Sequence, residues 1–102
     1  MATEARPAFI AITGQFELET AAAAARFAAC VREAVGGESH PAVQTCSVLA
    51  ARAFGGDGEA WAPLVAAVRR MLAGTSAESS CAQRSRRELR AFVAENADLL
   101  EG

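Results

Sequence analysis

Few side chains in this sequence could take part in chemistry, and they are widely spaced. Its 102 residues include one histidine, three cysteines and ten basic residues, all arginine, with no tyrosine or lysine. A histidine acting as general base needs a nucleophile or an orienting carboxylate within hydrogen-bond reach. Glu38 and Ser39 adjoin His40 in sequence, but neighbours at a helix start rarely face each other productively, and Pro41 places His40 at a helix boundary. The sequence therefore predicts no catalytic residue and a protein that is not an enzyme.

The three cysteines also lack the spacing of a reactive or metal-binding site. Cys30, Cys46 and Cys81 form no CxxC pair, and no histidine lies near any of them at metal-ligand spacing. Each has apolar or small neighbours, among which a free cysteine behaves as a small hydrophobic residue. We expect three reduced core residues in a cytoplasmic protein, with no bound metal and no cofactor.

The densest charge lies near the C-terminal end of the sequence. Arg84, Arg86, Arg87 and Arg90 are interrupted by only one acidic residue, Glu88. On a helix, Arg86 and Arg90 stack one turn apart with Arg87 beside them. Such a cluster can bind phosphates or an acidic patch on another protein, and the alternative is a solvated helix face. No aromatic residue lies among these arginines, so stacking on single-stranded bases is not predicted.

Two more arginines and one tryptophan complete the set of candidate residues. Arg69 and Arg70 point away from the apolar stripe of their predicted helix. Trp61 adjoins a glycine-rich loop, where an exposed aromatic ring would anchor a partner and a buried one would cap the core. The predicted partner-binding residues are Arg84, Arg86, Arg87, Arg90, Arg69, Arg70 and Trp61.

Apolar residues recur at helical spacing in four segments separated by glycines. The predicted helices run from about Gln15 to Val35, from Ser39 to Gly55, from Asp57 or Ala62 to Gly74, and from a capping box at Thr75 or Ser85 to the C-terminal leucines. Short connections between such helices are typical of antiparallel packing. The sequence therefore predicts an all-α fold, a small antiparallel bundle of about four helices with short glycine-containing turns.

The length of the chain predicts a single domain. Residues 1–12 are expected to form an N-terminal arm, and residues 13–102 the helical-bundle domain. The apolar segment 8–13 of the arm contains the one β-compatible run in the sequence. Neither a signal peptide nor a membrane-spanning stretch is predicted.

Composition bears on the kind of partner. About a quarter of the residues are alanine, which favours helix but contributes little apolar surface to a core. We therefore expect the bundle to bury further surface against a protein partner or in a homodimer. The formal net charge of −2 argues against binding to nucleic acid or an anionic membrane through the overall field. Exclusive use of arginine has two interpretations, selection for bidentate anion contacts and coding in a GC-rich genome.

These observations predict a non-enzymatic protein-interaction module. We expect a small regulator, adaptor or inhibitor of a larger macromolecular complex, of the kind that bacterial mobile elements and phages encode. The alternative is a nucleic-acid-binding regulator that uses the Arg84–Arg90 helix face. A third class, an enzyme or a carrier of a small ligand, would need a pocket that so short and alanine-rich a bundle can scarcely enclose.

Overall fold

The computed structural model describes residues 20–36 and 40–101 of the chain. Within these residues lie four helices of 14 to 16 residues, α1 (Thr20–Ala34), α2 (Pro41–Phe54), α3 (Trp61–Gly74) and α4 (Ser80–Glu95). A 3-10 turn at Gly58–Ala60 leads into α3, and a single-turn helix, α5 (Asp98–Glu101), follows α4. The predicted all-α bundle of about four helices is confirmed. The predicted arm, its apolar segment 8–13 and the predicted helix start at Gln15 lie outside the described residues.

The four long helices pack as a ring. α1 contacts α2 and α4, and α3 contacts the same two helices. Each helix therefore packs against the helix that follows it in sequence, as short connections require. The C-terminal ends of α1 and α3 and the N-terminal end of α4 consequently meet at one end of the bundle.

The core combines a few large side chains with many alanines. Phe27, Leu64, Leu89 and Phe92 have no solvent exposure and supply most of the apolar volume. Buried alanines lie beside them on α1, on α2 and in the 3-10 turn: Ala34, Ala50, Ala53 and Ala60. Because a methyl group occupies little space, these positions let helix backbones approach closely, so volume added there would strain the packing.

Aromatic rings connect the middle of the core to one end of the bundle. The ring of Phe27 lies edge-on to Phe92 at 5.0 Å between centroids and tilted against Phe54 at 6.2 Å. Phe54 in turn meets Trp61 edge-on at 5.2 Å. Edge-to-face contacts of this kind add about 0.5–1.5 kcal/mol beyond the burial of area. The rings therefore join α1, α2, α3 and α4 into one packed unit.

Side-chain caps set the starts of α2 and α4 differently from the sequence-based prediction. His40, rather than Ser39, caps α2, and its Nδ1 atom accepts a hydrogen bond of 3.0 Å from the backbone N–H of Ala42. Ser79 caps α4 by accepting 3.0 Å from the N–H of Ala82. Both predicted capping boxes are therefore wrong, because Thr75 lies at the end of α3 and Ser85 lies inside α4.

The turn between α2 and α3 is held by Asp57. Its Oδ1 atom accepts 3.1 Å from the N–H of Glu59 and so caps the 3-10 turn, whereas α3 itself begins at Trp61, next to the predicted start at Ala62, without a side-chain cap. Its Oδ2 atom accepts 2.7 Å from Nη2 and 3.1 Å from Nε of Arg52. The hydrogen bond from Arg52 holds the pKa of the Asp57 carboxyl below its usual value. Gly56 supplies the positive φ of 112° that closes this turn, a conformation that favours glycine.

Two short features complete the C-terminal end. Asn96 is fully buried, and its side-chain amide donates 2.7 Å to the carbonyl of Phe92, which ends α4. Leu99 and Leu100 then lie on α5 rather than on a continuation of α4, and both are half-buried against the core. The fourth predicted helix is therefore two helices. They are separated at Asn96, whose side-chain amide donates a hydrogen bond to a carbonyl in the last turn of α4.

Candidate functional site

The central residue of the predicted arginine cluster, Arg86, is not on the surface. It is 6% exposed, and its guanidinium group makes four hydrogen bonds inside the bundle. Nη1 donates to the carbonyl of Ala34 at 2.9 Å and to Oγ1 of Thr75 at 3.1 Å. Nη2 donates to the carbonyls of Leu72 and Thr75, both at 2.8 Å. The prediction that Arg86 binds a partner from an exposed face is therefore wrong.

The position of Arg86 explains why a charged side chain is stable there. The last carbonyls of a helix have no partner within it and carry the negative end of the helix dipole. Ala34 ends α1, and Leu72 and Thr75 lie at the end of α3, so Arg86 satisfies acceptors from two helix ends with one planar group. Arginine suits this role because its donors form a rigid fork.

Trp61 is likewise part of the core. It is 6% exposed at the start of α3, where its ring packs edge-on against Phe54. Of the two interpretations of this residue, the buried cap is correct and the exposed anchor is wrong. Its placement follows from the 3-10 turn, which brings the chain over the end of the bundle before α3 begins.

The remaining five candidate arginines are exposed, but they do not share one surface. Arg70 lines a groove between α2 and α3, together with His40 and Thr45. Arg84 lines a groove between α1 and α4, together with Arg26 and Glu33. Ser85 and Glu88 line the second groove beside Arg84, whereas helical periodicity turns Arg87 and Arg90 away from it, as it turns Arg69 away from the first groove. Arg69 and Arg90 therefore border the seam between α3 and α4, and Arg87 lies beside Arg90 on the outer surface of α4. We name these three residues the α3–α4 arginine face.

The register of α3 and α4 places these three arginines at neighbouring heights. Arg86 contacts the carbonyl of Leu72, so those two positions lie level across the pair of helices. One turn further along α4, Arg90 lies level with the turn of α3 that carries Arg69, because antiparallel helices advance in opposite directions. In the part of the chain that the structure describes, none of Arg69, Arg87 and Arg90 has a carboxylate within ion-pair distance. The face therefore carries three cationic groups available to an external anion.

The groove between α1 and α4 has a different character. Its volume is about 330 Å³, and both signs of charge line it, Arg26 and Arg84 against Glu33 and Glu88. Within it, the hydroxyl of Ser85 donates 2.8 Å to Oε1 of Glu33. The mixed charge and the internal hydrogen bond leave no net attraction for one class of ion.

The cysteines fall into two environments. Cys30 and Cys46 are buried, and burial raises the pKa of each thiol to about 11. Cys81 is exposed in the first turn of α4, so the prediction that all three are core residues is wrong for this one. All three are free thiols. Across residues 20–36 and 40–101, no group of three or more histidine, cysteine and acidic side chains is placed to hold a metal ion.

Thiol labelling should separate these environments. A thiol with a pKa of about 11 is ionised to about 0.1% at pH 8, so we expect Cys30 and Cys46 to react slowly in the folded protein. Native protein treated with an aromatic disulfide reagent should show one rapid equivalent from Cys81, and three after unfolding. Cys81→Ser should remove the rapid phase, whereas Cys46→Ser should leave it. A rapid phase of two or three equivalents would contradict the burial of Cys30 and Cys46.

Comparison with known proteins identified no relative of this chain. No helix in the described part of the chain is long and apolar enough to cross a membrane. Searches against protein-family models, curated proteins and solved structures found no match to the chain.

Proposed function

We propose that this protein is a non-enzymatic interaction module that binds an acidic surface of a protein partner through the α3–α4 arginine face. In this role it acts as a small regulator, adaptor or inhibitor of a larger complex, as mobile-element and phage proteins do. The observation that carries the proposal is the placement of Arg69, Arg87 and Arg90 on one side of two packed helices, each exposed and without a carboxylate partner among the described residues.

The chemistry of the face favours carboxylates as its target. Each guanidinium group presents paired donors that match a carboxylate in a bidentate arrangement. The two helices that carry the face are held together by the buried Arg86, which fixes α4 against the end of α3. Charges held on a rigid support lose less conformational freedom on binding than charges on a loop.

The described residues expose little apolar surface on which a partner could pack, so the proposal rests on charge. Among the described residues, Val48 is the one large hydrophobic side chain classed as exposed, at 53%, and it lies on α2. A single residue does not make the broad apolar area of a stable homodimer. Self-association remains a prediction from the alanine-rich composition. Sedimentation at high micromolar concentration tests it, and a monomer mass would contradict it. The free thiols support the proposed cytoplasmic location, where cysteines stay reduced.

The test compares two charge reversals of equal size on different sides of the bundle. Arg87→Glu with Arg90→Glu alters the α3–α4 arginine face, and Arg26→Glu with Arg32→Glu alters exposed positions of α1. Each protein is used to capture partners from a nuclease-treated lysate of the source organism at two salt concentrations. We expect the wild-type protein and the α1 variant to retain the same protein partner, and the α4 variant to lose it.

Purified components then make the result quantitative. The α4 variant places acidic groups opposite an acidic partner, so its dissociation constant should rise about a hundredfold or more, since like-charge contacts cost several kcal/mol. Circular dichroism at 222 nm should show that both double variants remain folded. Equal binding by the two variants would contradict the proposal.

The alternative, binding of duplex nucleic acid, uses the same three arginines. It is favoured by their arrangement on neighbouring turns, which can follow a phosphate backbone. Three phosphate contacts predict a salt slope of about −2.7, so affinity should fall about 40-fold between 50 and 200 mM salt. Fluorescence anisotropy with a labelled 20-base-pair duplex, about two helical turns, measures this directly. Complexes lost after nuclease treatment would favour this alternative over a protein partner.

A further inference from the structure

A second surface with a distinct chemistry lies between the start of α2 and the end of α3. It is a groove of about 330 Å³, on the side of α3 away from the α3–α4 arginine face. Its floor is apolar and includes Ala42, Ala67 and Met71. Its polar rim is formed by His40, Thr45, Arg70 and Thr75. A groove of this size matches the lower end of sites that hold small organic molecules.

The rim offers hydrogen-bond donors and no carboxylate. Arg70 has no ion-pair partner among the described residues. The Nδ1 atom of His40 accepts the bond from Ala42, so in the neutral ring the proton is on Nε2, which is a donor. The hydroxyl of Thr75 is already used, because it donates 2.7 Å to Met71 and accepts from Arg86. Arg70, His40 and Thr45 therefore remain to contact a ligand.

We propose that this groove binds a small monocarboxylate with a short unbranched hydrocarbon chain. The carboxylate pairs with the guanidinium of Arg70 at the rim, and the chain lies on the methyl and thioether groups of Ala42, Ala67 and Met71. A cationic ligand could not pair with Arg70, and a purely polar ligand would leave the apolar lining of the groove without a contact. The groove between α1 and α4, of equal volume, does not meet the same condition, because Glu33 and Glu88 line it.

Binding there would reach the interior of the bundle through side chains already described. Met71 lies under the groove, and its carbonyl accepts from Thr75, whose own carbonyl and hydroxyl hold Arg86. A ligand that fixes Met71 therefore also steadies the contacts that join α3 to α4. The inference concerns a different surface from the proposed partner interface, so either can fail without the other.

The experiment uses hexanoate as the probe and the full-length protein labelled with nitrogen-15. Amide shifts are followed in a carboxylate-free buffer, with hexylamine and hexanol as matched controls of charge. For a ligand of about eight heavy atoms we expect a dissociation constant of about a millimolar. Shifts should saturate at the amides of Ala42, Thr45 and Met71 with hexanoate, and hexylamine should leave these amides unmoved.

Two pairs of variants locate the site. Arg70→Met should weaken hexanoate binding about tenfold, whereas Arg69→Met, the same change on the neighbouring residue, should leave it unaltered. Thr45→Phe should fill the groove from its exposed rim and abolish binding, whereas Gln44→Phe should not. The proposal is overturned if hexanoate causes no saturable shifts at concentrations well above a millimolar, or if hexylamine binds equally well. It is also overturned if the two variants of either pair bind hexanoate with the same affinity.

Discussion

Replacing Arg86 by methionine is expected to lower the free energy of unfolding by about 3–5 kcal/mol. The variant keeps an unbranched apolar stem similar to that of arginine, but it is shorter and removes every donor. The carbonyls of Ala34, Leu72 and Thr75 then lose their bonds to the guanidinium group at the ends of two helices. Urea denaturation followed by circular dichroism and by the fluorescence of Trp61, the one tryptophan, measures the change.

The neighbouring residue provides the matched control. Arg87→Met makes the same chemical change one position away on an exposed side chain and should alter stability by no more than about 0.5 kcal/mol. Arg86→Lys separates charge from geometry, because an ammonium group keeps the charge but cannot form the planar fork. We expect it to recover less than half of the loss. If Arg86→Met and Arg87→Met have the same urea midpoint, the structural role of Arg86 is incorrect.

Truncation of Phe27 is expected to have an effect of similar size. Phe27 has no solvent exposure and touches the rings of both Phe54 and Phe92. Phe27→Ala removes these contacts and leaves a cavity between α1 and its neighbours, so it should cost about 3–5 kcal/mol. In a domain of about 100 residues each kcal/mol corresponds to about 4–8 °C in Tm, which scanning calorimetry resolves easily.

Two further variants test whether the loss arises from packing. Phe27→Leu keeps most of the volume and should cost less than about 2 kcal/mol. Val48→Ala removes apolar atoms from an exposed position and should change Tm by no more than a few degrees, about one kcal/mol or less. Equal Tm values for Phe27→Ala and Val48→Ala would contradict the description of the core.

The class of fold was predictable because it depends on repeated local signals. Leu64, Val65, Val68 and Met71 recur at helical spacing, and all four are buried on one side of α3. Glycine pairs marked the ends of α1 and α2 for the same reason, since few other residues adopt the backbone conformation at Gly36 and Gly56. The caps were less predictable, because several polar residues stand near each helix start and only the path of the chain selects one.

The candidate site was predictable in composition but not in arrangement. Sequence spacing put Arg86 and Arg90 on one side of a helix, and spacing alone does not reveal which arginine meets the ends of other helices. The bond from Arg86 to Ala34 spans 52 positions, beyond any local pattern. The groove between α2 and α3 was missed for a related reason, since His40 and Arg70 come together only when two helices pack. The sequence held one signal for the burial of Arg86. Arg86 lies three residues before Leu89 and so shares the apolar face of the predicted helix.

The contact between Arg86 and Ala34 also has a consequence for how the chain is made. Synthesis joins Arg86 to the chain after α1, α2 and α3, so the carbonyl ends of α1 and α3 lack their guanidinium donor until α4 has emerged. Ordering of these ends thus waits for the last long helix. A released chain that ends at Ser79, before α4, should accordingly be cut by proteases near residues 34 and 72, and the full chain should resist cleavage there.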